Sequence, residues 1–254
     1  MLSGFEILIA GLAAAAAGLI NSLAGGGTLV SFPVLIALGV SDIAANITNT
    51  VALCPGYVGG AIAQREELRD QGRRLWLLLP AGSIGGIAGS LLLLLGSEQV
   101  FHVLIPFLIL LAVLLLAVQD RVRDWSRKQS HPAESRGGGG KAVLPIGLAA
   151  VYGGYFGAGM SVIVLAVLGL FLDDTLTRLN ALKQCISLSI NVAAAVFFVF
   201  SGMVIWPLAL VMAIGALAGG AVGGRIAGRI NPVLLRWTVV VIGCTVGIFL
   251  LVRL

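Results

Sequence analysis

The sequence predicts an all-α polytopic membrane protein, an inverted repeat of two halves. Each half is a glycine-broken (re-entrant) helix hairpin plus three transmembrane helices. Three observations predict it. Of 254 residues, 59% are hydrophobic and 11% are charged, against about 25% charged in a soluble domain. The mean hydropathy is +1.06, which belongs to the membrane class. Apolar runs of spanning length recur along the chain, and stretches of the first half echo in the second.

The elements follow in order. A membrane-spanning helix needs about 20 apolar residues to cross a core of about 30 Å. Residues 5–38 hold a long apolar run, the break "NSLAGGGTL", and a short run. Spans are then expected over 44–63, 75–95 and 99–118. Residues 119–141, "QDRVRDWSRKQSHPAESRGGGGK", are polar, charged and Gly-rich, and form the linker. Residues 142–172 are an apolar stretch broken by "GGYFGAGMS", too short for two full helices. Further spans are expected over 180–200, 204–223 and 233–252. The domain reading is 1–118 as first repeat, 119–141 as cytoplasmic linker and 142–254 as second repeat.

Composition excludes several classes. The net charge of +5 would suit nucleic acid, but the charges fall between apolar runs, so no nucleic-acid partner is expected. The expected partners are the lipid bilayer and a small anion, and a homodimer is compatible with both. Cys54, Cys185 and Cys244 sit inside apolar runs and form neither a disulfide framework nor a CxxC pattern. His102 and His131 are far apart, so no metal or cofactor is expected. No Lys or Arg precedes Arg65, so the positive region of a signal peptide is missing.

Three echoes argue for duplication. "GLAAAAAGLINSLAGGGTL" at 11–29 matches "GLAAVYGGYFGAGMSV" at 147–162. "AANITNTVAL" at 44–53 matches "TRLNALKQCISL" at 177–188, pairing Asn46 with Asn180 and Asn49 with Lys183. "GSIGGIAGS" at 82–90 matches "GALAGGAVGG" at 215–224. Loops 64–74 and 119–141, and the segments around Arg178, Arg225 and Arg229, are basic, while loops 39–43, 96–99 and 201–203 carry no Lys or Arg. Placing the basic loops in the cytoplasm leaves both termini external and inverts the second half. Inverted repeats commonly build transporters with the site near the midplane.

The breaks carry the chemistry. Irregular backbone survives at membrane depth only inside protein or beside water. A helix restarting after Gly25, Gly26 and Gly27 leaves its first N–H groups unpaired at the positive end of its dipole, which suits an anion. Thr28 adds a hydroxyl. Gly157, Ala158, Gly159 and Ser161 repeat the pattern. The competing reading is that these glycines only let helices pack closely. Asn21, Asn46, Asn49 and Asn180, with Gln184 and Asn191, are amides able to donate to an anion or to glue helices together. Lys183, within an apolar helix, marks a substrate pathway or snorkels to the surface. Pro33 and Pro55 shape helices, and the glycines of 82–89 and 215–224 form packing faces.

On these residues, "AGLINSLAGGGTLVSFPVLIALGVSDIAANITNT" and "GGYFGAGMSVIVLAVLG…TRLNALKQCISLSINVAAAVFFVFSGMVIWPLAL", the chain resembles the sulfite exporter TauE/SafE family of membrane permeases. The resemblance covers nearly the whole chain and weakens in the linker. It implies a multi-pass carrier of the bacterial inner membrane for sulfur-containing anions such as sulfite or small organosulfonates. The halves are not chemically equivalent, because "NITN" stands where the other half has "NALK". Enzyme signatures such as HExxH and GxSG are missing, so an anion transporter is expected. The alternatives are an intramembrane enzyme or a non-transporting assembly subunit.

Overall fold

The computed structural model describes residues 3–23, 25–129, 139–226 and 232–254; side chains of Ala63, of 120–129 and of Pro232 are not described. The described residues form ten α-helices and no strand. They are α1 (Gly4–Leu23), α2 (Thr28–Ala37), α3 (Asp42–Ala63), α4 (Gly72–Leu95), α5 (Glu98–Gln129), α6 (Val143–Tyr155), α7 (Met160–Phe171), α8 (Leu176–Phe200), α9 (Trp206–Ile226) and α10 (Pro232–Val252). Six are long and apolar enough to cross a membrane: α1, α4, α5, α8, α9 and α10.

Five of the six expected spans are among these. The sixth, 44–63, falls within α3, which is 22 residues long but carries Asn46, Thr48, Asn49 and Thr50 near its start, and these lower its hydropathy. Instead α1, with 20 residues, qualifies. The first hairpin therefore has one full-length arm, α1, and one short arm, α2, of 10 residues or about 15 Å. The second hairpin has two short arms, α6 of 13 residues and α7 of 12. Helix α5 continues to Gln129, so the first part of the expected linker is helical. The candidate linker residues His131, Arg136 and Gly138, and Arg229 of the second half, lie outside the described residues.

Small residues set the packing. Helix α1 lies along α9, and α6 lies along α4, by matched contacts. A Cβ on Gly215 would come 3.2 Å from Ala15 N, and one on Gly85 would come 3.2 Å from Val151 N. A Cβ on Gly18 would come 3.0 Å from Ala216 Cα, and one on Gly154 the same distance from Gly86 Cα. In a membrane, helices are held by van der Waals contact rather than by exclusion from water, so small faces gain the most by close approach. The glycines of 82–89 and 215–224 thus serve as packing faces. The matched register pairs Gly85 with Gly215, three positions from the pairing of first residues in the sequence echo.

Charges separate to two ends. At one end the 64–74 loop meets the α7–α8 junction: Arg74 pairs with Asp174, Arg178 Nε lies 3.0 Å from Asp174 Oδ1, and Arg178 Nη2 donates to Arg69 O at 3.1 Å. Gln71 Nε2 donates to Arg178 O at 3.2 Å. Burial raises the Asp174 pKa, but hydrogen bonds from Arg74, the Thr175 N–H and Arg178 outweigh it and hold the carboxyl below its ordinary range. At the other end His102 Nδ1 lies 2.5 Å from Asp42 Oδ2, tying α5 to α3 beside a cavity of about 250 Å³ that Arg253 also lines.

Candidate functional site

The first break begins at the end of α1. Gly25 N donates to Ile20 O at 2.9 Å, and Gly25 and Gly26 take φ of +83° and +86°, a region that L side chains enter only at a cost. Asn21 then reaches across the turn, and its Oδ1 accepts from Gly27 N at 2.7 Å. Helix α2 restarts with tight bonds, Leu29 N to Gly26 O and Val30 N to Gly27 O, both 2.9 Å. The N–H groups of Gly26 and Thr28 find no partner among the described residues. Thr28 is 6% exposed, and its hydroxyl makes no hydrogen bond to them.

The second break follows α6. Phe156 N and Gly157 N both donate to Tyr152 O, at 3.0 and 3.4 Å. Gly159 caps α7 with φ +73°. Here the pin is Tyr152, whose hydroxyl donates to Ala158 O at 2.7 Å. The N–H groups of Ala158, Gly159 and Ser161 find no partner among the described residues. Ser161 is 3% exposed, and its hydroxyl is likewise unbonded there.

The two breaks meet. A Cβ built on Gly25 would land on Ser161 Oγ, so the start of α7 touches the turn before α2. Both breaks rest on α5: a Cβ on Gly26 would come 3.2 Å from Leu116, and one on Gly159 would come 3.1 Å from Ala112. The result is a junction of buried residues in which two helix N-termini face the same neighbourhood, with five N–H groups and two hydroxyls that have no partner among the described residues. Phe32 and Phe101 close over the second break, with ring centroids 5.3 and 6.2 Å from that of Phe156, and Phe101 lies 5.7 Å from Tyr155.

The amides divide. Asn46 Nδ2 donates to Tyr155 O at 2.9 Å, which places Asn46 at the second break. Its Oδ1 and the Oδ1 of Asn49 are buried without a hydrogen-bond partner among the described residues. Asn180 lies elsewhere: its Nδ2 donates to Gln64 Oε1 at 2.8 Å, at the end of α3. Asn191 Nδ2 donates to Ser187 O at 2.9 Å, whereas Gln184 Oε1 is buried without a partner. Lys183 is 2% exposed on α8 and makes no hydrogen bond or ion pair to a described residue. It therefore does not snorkel across the protein surface. The contacts that join the breaks run through Gly25, Ser161 and α5. Tyr152 was not among the expected site residues, because a tyrosine in "AAVYGGYF" reads as one more apolar side chain. Among the described residues no three His, Cys, Asp or Glu side chains gather to hold a metal.

Known proteins resemble the chain along most of its length. The family model described as Sulfite exporter TauE/SafE matches residues 10–250. A "Probable membrane transporter protein" of Haemophilus influenzae is 25% identical over 227 residues, 89% of this chain and 87% of its own. The "Probable membrane transporter protein YfcA" of Escherichia coli is 26% identical over 238 residues, 92% and 86% of the two chains. The "Probable membrane transporter protein ORF9" of a Sinorhizobium species is 25% identical over 243 residues, 94% and 90%. No solved structure matches.

Proposed function

We propose that this chain, which belongs to the sulfite exporter TauE/SafE family of membrane transporters, exports sulfur-containing anions such as sulfite or small organosulfonates. The anion sits near the membrane midplane, between the N-termini of α2 and α7. The observation that carries this reading is the junction of the two breaks, where both half-helices leave N–H groups unpaired. Unpaired N–H groups and the positive ends of two dipoles favour negative charge. Gly25, Gly26, Gly27 and Thr28 contribute from one side, Gly157, Gly159 and Ser161 from the other. Asn46 borders the second break with Asn49 one turn along α3, Asn21 holds the first, and Asn180 steadies α8 against α3. Lys183 supplies the one formal positive charge, a role supported by its burial without a counter-ion among the described residues.

In this reading, residues 1–118 and 142–254 are inverted repeats in a bacterial inner membrane. The basic end faces the cytoplasm and both termini are external. The matched packing of α1 on α9 and of α6 on α4 supports the repeat. The meeting of the 64–74 loop with the Arg178 segment at one end supports the orientation. An anion leaving a cell that is negative inside gains about 2.3 kcal/mol per charge per 100 mV, so export needs no other drive. A cysteine introduced at Gly138 is expected to resist impermeant thiol reagents in intact cells; ready labelling reverses the orientation.

Lys183 tests the site. A charge-assisted hydrogen bond is worth about 1.5–3 kcal/mol, roughly 10- to 150-fold in affinity. Lys183→Met keeps the apolar stem and removes the charge, so sulfite affinity measured by calorimetry falls by that factor. Lys183→Arg loses less, or shifts preference among oxyanions. Wild-type affinity in Lys183→Met places the site away from α8.

A further inference from the structure

We infer that the first half holds a monovalent metal cation between Asn46 Oδ1, Asn49 Oδ1 and the C-terminal end of α6, directly behind the second break. Both amide oxygens are buried, in residues each 1% exposed, and neither has a hydrogen-bond partner among the described residues. The orientation of Asn46 is fixed by chemistry. Its Nδ2 donates to Tyr155 O at 2.9 Å, and turning the amide over would set oxygen against oxygen. What remains is therefore an acceptor, and it calls for a donor or a cation.

The surroundings favour a cation. Asn46 and Asn49 are three residues apart on α3, which puts their side chains on one helix face with about 5–6 Å between Cβ atoms. The Tyr155 bond seats Asn46 at the last residue of α6, with Asn49 one turn further along α3. A helix C-terminus carries partial negative charge. Phe156 N and Gly157 N both turn back to Tyr152 O, so the carbonyls of Gly153 and Gly154 receive no N–H from the described backbone. Broken helices in transporters use their C-terminal ends and unwound carbonyls in this way, while their N-termini face the anion.

The donors also select the ion. Amide and peptide carbonyls are neutral, hard oxygens. They do not take up a proton at neutral pH, and without a carboxylate among them they offset a double charge poorly. Sodium and potassium share the chemistry that fits. The repeat adds an independent reason: the position of Asn49 in the first half is that of Lys183 in the second. One half carries a covalent ammonium where the other has an amide oxygen able to hold a free cation.

A cation behind the break faces an anion at the start of α7, and each raises the affinity for the other by the same factor. This coupling rests on the anion reading; the cation site itself does not. The purified protein is melted in sodium, potassium and choline gluconate without any sulfur anion. A ligand of the folded state raises its melting temperature, so one metal salt is expected to stabilise saturably over choline, and the better salt identifies the ion. Asn49→Ala loses that shift, Asn49→Asp reaches it at lower concentration, and Asn49→Lys is insensitive to the metal. Sulfite affinity is expected to be at least tenfold tighter in the metal salt than in choline for the wild type, and equal in both for Asn49→Lys. Identical melting of the wild type in all three salts, or a full metal shift in Asn49→Ala, overturns the site. A metal shift lost in Asn49→Ala, with no sulfite binding in any salt, upholds the cation site and rejects the anion reading.

Discussion

In the first break an acceptor is pinned onto a donor, because Asn21 Oδ1 takes the N–H of Gly27. In the second a donor is pinned onto an acceptor, because the Tyr152 hydroxyl covers the carbonyl of Ala158. Both devices hold a chain reversal between apolar helices, and unsatisfied backbone is costly wherever such a reversal lies at membrane depth. Their electrical consequences are opposite. Among the described residues, Asn21 removes one N–H from the first half-helix and leaves two, those of Gly26 and Thr28. Tyr152 removes one carbonyl and leaves three N–H groups, those of Ala158, Gly159 and Ser161. Among the described residues the second break thus leaves more N–H groups unpaired, and it is also the one that Phe32 and Phe101 cover. The two breaks are thus unequal poles.

The largest way to break this comparison is to fill the second pole. Gly159 has φ +73° and lies against Ala112. A β-branched residue there carries strain of about 1–3 kcal/mol and puts methyl groups where α5 already packs. Gly159→Val is expected to abolish anion flux in proteoliposomes while the protein still inserts. Gly26→Val, whose Cβ would meet the flexible end of Leu116 at 3.2 Å, does the same with less loss of stability. Unchanged flux in both variants would mean that the glycines serve packing alone.

A smaller change sharpens the asymmetry itself. Tyr152→Phe bares the carbonyl of Ala158 toward the junction. A buried acceptor without its partner costs about 1–3 kcal/mol, and its negative end faces the anion, so binding weakens by about tenfold. Asn21→Ala bares the N–H of Gly27 instead. It lowers stability by a similar amount but adds a donor to the first pole, so anion affinity is held or improved. The measurement is sulfite affinity beside melting temperature for each variant. Equal loss of affinity in both would show that the two pins act on structure only.

Much of this was legible in the chain. The glycine runs and the second break follow from local backbone rules, and five spans follow from hydropathy alone. Three things did not. The amide of Asn21 looked like a ligand donor, yet a helix that ends five residues before another begins offers an N–H nearer than any substrate. Asn180 aligned with Asn46 in the repeat, but the end of α3 brings Gln64 within 2.8 Å of it, a pairing that depends on how α3 and α8 cross. Tyr152 had no signal, since a tyrosine in an apolar helix shows its hydroxyl partner only after the chain has turned back. Local chemistry is written in neighbours, whereas these three depend on contacts made by the reversal or by a second helix.

The smallest expected effect lies at the basic end, outside the comparison of poles but joining the same two halves. Asp174, beside the start of α8, accepts from Arg74 of the first half and Arg178 of the second. Its pKa is lowered in the folded protein: burial raises it, and the hydrogen bonds from Arg74, the Thr175 N–H and Arg178 together win. A carboxyl with a depressed folded pKa contributes stability above its unfolded pKa and loses it as pH falls through the folded value. The window is therefore acidic, from about pH 4, where an unfolded aspartate titrates, downward. The three side chains are 13–29% exposed, so solvent screens the cluster and its worth is about 1 kcal/mol. Melting temperature in detergent is expected to fall on acidification over that window, and Asp174→Asn is expected to lower it at pH 7 and to flatten that part of the curve. If Asp174→Asn keeps the wild-type acid slope, another carboxylate carries the dependence and the Arg74–Asp174–Arg178 cluster contributes nothing to joining the halves.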